Sequence, residues 1–339
     1  MRKRILIVGF GSIGQKHLRI IRQSLPSAEI AILRHQAPKE VPVLANHCFG
    51  NLEDACMFRP ELTVIANPAP FHVETIIGLA NTDCHFLVEK PISDHMSSDL
   101  AEVKAMIGPD RIILVGYNLR YLPSLIDFRD RIHQGKIGRI LSVRCEIGQY
   151  LPSWRPGSDY RNGVSARKSL GGGVLLELSH ELDYLQWIFG KVRWVNAITA
   201  RQSDLEIDVE DTAQIIMGHE DLLDKQEAIT SLSMDFIRHD TIRICTAIGD
   251  KGSLRWDGLT GIVHFISHPD KHWQIASQHP HLPDDSYIAQ WNHFVCCTEL
   301  KETPVNDVEN SIEIMKLIEA IRHSSDAQGK RISLTNLDN

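Results

Sequence analysis

Gly9-Phe10-Gly11-Ser12-Ile13-Gly14 restricts the fold of this chain more than any other stretch. It follows Ile5-Leu6-Ile7-Val8, four consecutive apolar residues of the kind found in a strand buried on both faces. After it, Leu18, Ile21 and Leu25 recur at helical spacing. Glycines at such a junction let backbone N–H groups approach a pyrophosphate at the helix N-terminus. A bare Gly-x-Gly-x-x-Gly says little, but between a buried strand and a helix it points to dinucleotide binding. The alternative is a tight turn with no ligand.

The second strand is expected over 29–33. An acid often stands at its end to hold the adenosine ribose, but here Arg34 and His35 take that place. A cation there suits the 2′-phosphate of NADP; the other reading is an arginine stacked on the adenine. Strand and helix then alternate. Strands are expected at 62–66, 85–88 and 111–115, with helices at 71–80 and 98–107. This order predicts a doubly wound parallel sheet with ligands beyond the carboxyl ends of its strands. Gly9, Asn67, Lys90 and Gly116-Tyr117-Asn118 all fall at those ends.

Past Tyr121 the pattern changes. A helix at 125–132 precedes a long alternating run, 140–149. Further alternating runs at 194–199, 212–217, 228–236 and 241–248 lack intervening helices, which indicates an antiparallel sheet with one solvated or partner-covered face. Helices at 284–300 and 308–323 close the chain. The expected architecture is α/β followed by α+β, divided as 1–121 and 122–339.

Gly171-Gly172-Gly173 leads into Val174-Leu175-Leu176-Glu177-Leu178-Ser179-His180-Glu181-Leu182-Asp183. A histidine titrates near neutral pH and can exchange a proton there. On one continuous helix, Glu177, His180 and Asp183 would share a face. The alternative is a buried helix whose polar residues cap its first turn. Between about 150 and 170 a loop carries Trp154, Arg155, Tyr160, Arg161, Arg167 and Lys168, with Asp159 its only acid. These cations either pair with surface acids or bind an anionic group of a substrate.

His264, His268 and His272 are spaced by four, but Pro269 interrupts them, so a solvated loop is expected rather than a metal site. Glu177-x-x-His180 has no second copy, and no metal is assigned to it. The net charge of −7 and the absence of a long basic run argue against nucleic acid and anionic membrane surfaces as partners. The apolar run after Met1-Arg2-Lys3-Arg4 is too short for a signal peptide or a membrane span. Seven cysteines without a Cys-x-x-Cys suit free thiols in a reducing cytoplasm, with Cys296-Cys297 packing as small apolar residues.

Taken together, the chain resembles the Gfo/Idh/MocA oxidoreductases nearly end to end. The resemblance is carried by Gly9 to Gly14, the Asn67 to His72 loop, Glu89-Lys90-Pro91, Gly116-Tyr117-Asn118-Leu119-Arg120-Tyr121, the triple glycine with His180-Glu181-Leu182-Asp183, and the late helix from Ser311 to Ser324. It implies a Rossmann domain joined to an α+β domain whose large open sheet makes a homodimer or homotetramer. It implies a cofactor held by Gly9, Gly11, Ser12, Ile13, Gly14, Arg34, His35, Asn67, Pro68, His72, Glu89, Lys90 and Asn118. Lys90 and His180 would be the catalytic pair, with Glu177 beside them. Tyr117, Arg155, Tyr160, Arg161 and Arg167 would join Lys90, Glu177 and His180 around the substrate. The family often places an aspartate four residues before the histidine; here that residue is Leu176, and Glu177 stands three before. The stretch 150–161 resembles members of bacterial surface-sugar pathways.

The expected activity is hydride exchange between NADP, or NAD, and one carbinol of an anionic sugar. The alternatives are an NAD-dependent cyclitol dehydrogenase, for which the basic loop has no use, and a non-catalytic cofactor-binding regulator on the same fold.

Overall fold

The structure is a computed structural model; it describes residues 3–35, 40–108, 110–155, 157–220 and 227–334. The chain divides into two compact units, one formed by Met1–Asn118 with Asp284–Met315, the other by Leu119–Pro283 with Lys316–Asn339. It therefore crosses between units three times, where the sequence suggests a single boundary at 121/122.

The first unit holds a parallel sheet of β1 (Arg4–Val8), β2 (Glu29–Leu33), β3 (His47–Phe49), β4 (Leu62–Ile65), β5 (His85–Val88) and β6 (Ile113–Val115), in the order β3-β2-β1-β4-β5-β6. This is the doubly wound arrangement, with its switch point beside β1. Four helices connect the strands: α1 (Ser12–Ser24), α2 (Leu52–Met57), α3 (His72–Gly78) and α4 (Ser98–Ile107). Ile5, Ile7, Ile30, Ile32, Val64, Leu87 and Leu114 form a continuous core with Leu18 and Ile21 of α1.

The second unit contains α5 (Pro123–His133), α6 (Val174–Glu177) and α7 (His180–Phe189). Its sheet has nine strands: β7 (Ile140–Gly148), β8 (Val192–Ala200), β9 (Thr212–His219), β10 (Ala228–Asp235), β11 (Ile242–Gly249), β12 (Ser253–Asp257), β13 (Ile262–Ile266), β14 (Gln274–Gln278) and, near the end of the chain, β15 (Ile332–Ser333). All neighbouring pairs are antiparallel except β7 with β10. Strands alternate buried and exposed residues, as in Ala228 to Met234, so one face is packed and the other open. His264 corrects the loop expected over 264–272: it lies within β13, while His268 and His272 fall in the segment before β14.

α8 (Asp285–Thr298) belongs to the first unit. Trp291, Phe294 and Cys297 join the core of β1, β2 and α1. Full burial of a large apolar side chain is worth roughly 1.5–3 kcal/mol, which accounts for the return of the chain to this unit. Cys297 packs as a small apolar residue, and burial pushes its thiol up to about 11. All seven cysteines are free thiols. α9 (Val308–Asp326) begins in the first unit and ends in the second. Among the described residues, no helix is long and apolar enough to cross a membrane.

Candidate active site

In the first unit the candidate residues gather at the carboxyl ends of β1, β4, β5 and β6. Gly9 has φ +88°, and a Cβ there would lie 2.6 Å from the Asn67 nitrogen. At Gly14 a Cβ would lie 2.2 Å from the Gly9 carbonyl oxygen. The fold itself requires both glycines. Gly11 is different: its φ is −72° and a Cβ there would meet nothing within 4 Å. It caps α1 without a side-chain hydrogen bond, and the first turn of α1, which contains Ser12 and Ile13, carries no acid. Open space beside unsatisfied helix N–H groups fits a pyrophosphate. The residues present thus fit a dinucleotide.

Arg34 and His35 are exposed just beyond β2, and the Arg34 guanidinium lies 5.6 Å from the centre of the Phe10 ring. Asn67 and Pro68 lead from β4 into α3. Asn67 donates from Nδ2 to Thr75 Oγ1 at 3.1 Å. His72 is buried, with Nε2 2.7 Å from the Asn67 carbonyl oxygen and Nδ1 2.9 Å from that of Pro91. Burial pushes its pKa down, while the two carbonyls and the carboxylates of Glu89 and Asp94 oppose the shift. Both ring nitrogens therefore engage the backbone, and the imidazole ties the loop after β4 to the loop after β5.

Glu89 directly follows β5 and is hydrogen-bonded to His17 of α1 at 2.7 Å. Lys90 follows, half-buried, before Pro91. Beyond β6, Asn118 donates from Nδ2 to Ser286 Oγ of α8 at 2.7 Å. Tyr117, expected beside a substrate, is only 1% exposed.

In the second unit, Gly173 has φ +104°, and a Cβ there would lie 2.3 Å from Oε1 of Glu210. Glu210 receives the Leu175 N–H on that oxygen at 3.2 Å and the Val174 N–H on its carbonyl at 3.3 Å. Burial pushes its carboxyl pKa up. The glycine run thus clears space for a half-buried acid that anchors the start of α6. The single helix expected from Glu177 to Asp183 is interrupted: α6 ends at Glu177 and α7 begins at His180. Leu178, at φ −99° and ψ +21°, turns the chain between them, so Glu177 does not share the α7 face of His180 and Asp183.

His180 is half-buried as the first residue of α7. The three carboxylates near it in sequence have separate duties. Glu177 accepts a hydrogen bond from Ser165 Oγ at 2.6 Å. Glu181 is buried against Arg243, with Arg243 Nε 2.9 Å from its Oε1. Asp183 is held in a fork by Arg120 Nε and Nη2 at 2.9 and 2.8 Å. Leu176 is 2% exposed and packs in the core.

The basic loop of 150–170 folds into short 3₁₀ turns. Arg155 is exposed. Arg161 binds Asp159 through Nε at 2.8 Å and Glu206 through Nη1 at 3.0 Å. Tyr160 accepts the Glu206 N–H on its hydroxyl at 3.3 Å. Arg167 lies 3.9 Å from Asp208, which also accepts the Lys168 N–H. Asp159 is the only acid in the loop by sequence, but the fold brings Glu206 and Asp208 to its cations. His17, Ser165, Glu210 and Arg243 are site neighbours that no motif identified.

The fold and the glycine cradle define a dinucleotide-binding class of protein. The chain belongs to the Gfo/Idh/MocA oxidoreductase family: the family's NAD-binding Rossmann-fold model matches residues 3–113, and the model of its C-terminal alpha/beta domain matches residues 129–334. The chain is 26% identical over 207 residues to levoglucosan dehydrogenase of Pseudarthrobacter phenanthrenivorans, covering 57% of this chain and 52% of that protein. It is 27% identical over 197 residues to the rhizopine catabolism protein MocA of Rhizobium meliloti, covering 56% and 58%. The chain thus spans a little over half the length of these relatives. A crystal structure of the WlbA dehydrogenase from Bordetella pertussis, in complex with NADH and UDP-GlcNAcA, shares the fold with a TM-score of 0.77 at 22% identity, covering 98% of this chain and 99% of that one.

Proposed function

We propose that this chain is an NAD(P)-dependent dehydrogenase or ketoreductase of an anionic sugar, nucleotide-linked or carboxylated. The reading is carried by Lys90 after β5 together with His180 at the start of α7, since a cofactor-binding regulator needs neither. Gly9, Gly11, Ser12, Ile13 and Gly14 cradle the pyrophosphate, and Asn67, Pro68, Glu89 and Asn118 line the path of the cofactor. When bound, the nicotinamide supplies or accepts the hydride. His180 removes the carbinol proton in oxidation and returns it in reduction. Lys90 donates a hydrogen bond to the same oxygen and stabilises its developing charge. Glu177 holds its place through Ser165.

The anionic substrate is supported by Arg155, Arg161, Arg167 and Lys168 in one loop and by the UDP-GlcNAcA in the WlbA dehydrogenase structure. Exposed ion pairs such as Arg161–Glu206 are weak and can exchange for a phosphate or carboxylate. That same pairing favours the second reading, an NAD-dependent dehydrogenase of a neutral cyclitol. Nicotinamide absorbance followed against nucleotide sugars, acidic sugars and cyclitols separates the two. Turnover confined to anionic sugars supports the first, and efficient turnover of inositol overturns it.

Arg34 supports a preference for NADP. NADPH is expected to bind about tenfold more tightly than NADH, or roughly 1.4 kcal/mol, because a phosphate contact is charge-assisted. Fluorescence titration of both cofactors checks this; equal affinities would show that Arg34 only stacks.

The open face of the nine-stranded sheet supports a homodimer or homotetramer. Ile198, Ile216 and Ile229 are exposed on β8, β9 and β10, among polar residues such as Gln214 and Ser231. Large apolar side chains left exposed on an open sheet face suit an interaction surface. Light scattering on the purified chain is expected to give an oligomer that Ile216→Lys with Ile229→Asp dissociates; a wild-type monomer contradicts the assignment.

A further inference from the structure

The helix behind the glycine fingerprint buries a histidine. His17 lies on the inward face of α1 with Gly14, Leu18 and Ile21, and is 0% exposed. Its Nε2 is 2.7 Å from Oε1 of Glu89. Tyr287 of α8 stands edge-on to the imidazole, ring centroids 5.8 Å apart. Glu89 is also confined from β6: a Cβ at Gly116 would lie 3.3 Å from Oε2 and 3.2 Å from the Val88 carbonyl oxygen. One carboxylate oxygen is therefore bonded to α1, and the other fits the space that Gly116 leaves, immediately before Lys90.

Stability is a poor explanation for this pair. Two polar groups withdrawn from water regain in their mutual bond roughly what they lose, and a well-packed apolar pair would serve as well. What the pair supplies is a carboxylate with its rotamer fixed, as supporting contacts do for ligating side chains elsewhere.

The strand order says what that carboxylate faces. With the pyrophosphate at β1 and the adenosine half toward β2, the other half of a dinucleotide runs toward β4 and β5. Its hydroxyl-bearing group on that side is the nicotinamide ribose, and a carboxylate accepts hydrogen bonds from hydroxyls.

We propose that His17 is a positioning residue that aims the Glu89 carboxylate at the nicotinamide ribose of the bound cofactor. This rests on the cofactor reading above; the added element is His17. The test needs no sugar substrate. NADH and ADP dissociation constants are measured by fluorescence and by competition for wild type, His17→Leu, His17→Gln, Glu89→Ala and the double variant His17→Leu/Glu89→Ala. ADP lacks the nicotinamide ribose and reports on the adenosine half alone. His17→Leu is expected to weaken NADH about tenfold, the scale of a hydrogen bond to a charged group, with ADP unchanged. His17→Gln, whose amide N–H can replace Nε2, restores most of the loss. The double variant binds NADH no more weakly than Glu89→Ala, because His17 acts through Glu89. Wild-type NADH affinity in His17→Leu overturns the proposal. So does equal weakening of NADH and ADP, or losses that add in the double variant. A wild-type chain that binds ADP but neither NADH nor NADPH contradicts the cofactor reading itself, and this proposal falls with it.

Discussion

Replacing His180 with alanine is expected to lower turnover by about 100-fold or more while leaving cofactor affinity nearly unchanged, the pattern of a proton-transfer group acting mainly in the transition state. The neighbouring acids cannot take over. Asp183 is committed to Arg120, Glu181 to Arg243, and Leu176 carries no ionisable group. Glu177 lies on a separate helix and bonds Ser165. Lys90→Met should behave likewise, because a thioether keeps the length of the side chain but cannot donate to an oxyanion. Steady-state kinetics on a substrate from the sugar panel, with fluorescence titration of the cofactor, measures both effects. If His180→Ala keeps most of its turnover, the proton route proposed here is wrong.

The second large effect concerns the platform under His180. Asp183→Ala is expected to destabilise the second unit by about 3–5 kcal/mol, because it leaves the Arg120 guanidinium buried without its carboxylate. Both side chains are almost fully buried, at 5% and 1% exposure, and the contact is bidentate. Trp187 packs near the same cation, with Arg120 5.4 Å and Arg129 4.4 Å from the centre of its ring. The double variant Arg120→Met/Asp183→Leu should recover most of the loss, since an apolar pair of similar volume removes the orphaned charge. Urea unfolding of the three proteins decides it. A loss below about 1 kcal/mol in Asp183→Ala would mean that water reaches the guanidinium, as at surface pairs.

These two cases also show what local sequence can reveal. The parallel sheet was legible because its strands are short, continuously apolar and separated by helical periodicity; β1, β4 and β5 lie at the positions expected from that pattern. The glycine junction was legible because the φ of Gly9 and the close approach at Gly14 demand that residue type. β12, β13 and β14 were missed. They lie among Gly252, Gly258, Gly261 and Pro269, and polar residues such as His264 and Gln274 blur their alternation. The helical periodicity of α8 is legible, but linear order conceals that Trp291 and Phe294 pack into the first unit.

In the site, residue types were legible and partners were not. Asp183 looked like one of three acids around a histidine, yet its partner is 63 residues away. Arg161 has Asp159 two residues away in sequence, but its second partner, Glu206, lies 45 residues on. His17 carries no signal of its own in the sequence, and only its bond to Glu89, 72 residues distant, points to a role. Side-chain charge can be read along the chain, but what answers a charge depends on the fold.

The proposed reaction is hydride exchange between a nicotinamide and one carbon of an anionic sugar. Its most direct test follows a deuterium label. The chain is incubated with reduced nicotinamide cofactor carrying deuterium at both C4 positions and the keto form of a sugar selected from the panel, and the product is read by NMR. A single deuterium is expected on one carbinol carbon of the sugar, with the hydroxyl proton drawn from solvent. A product without deuterium at carbon, or a label that enters from solvent instead, would contradict it.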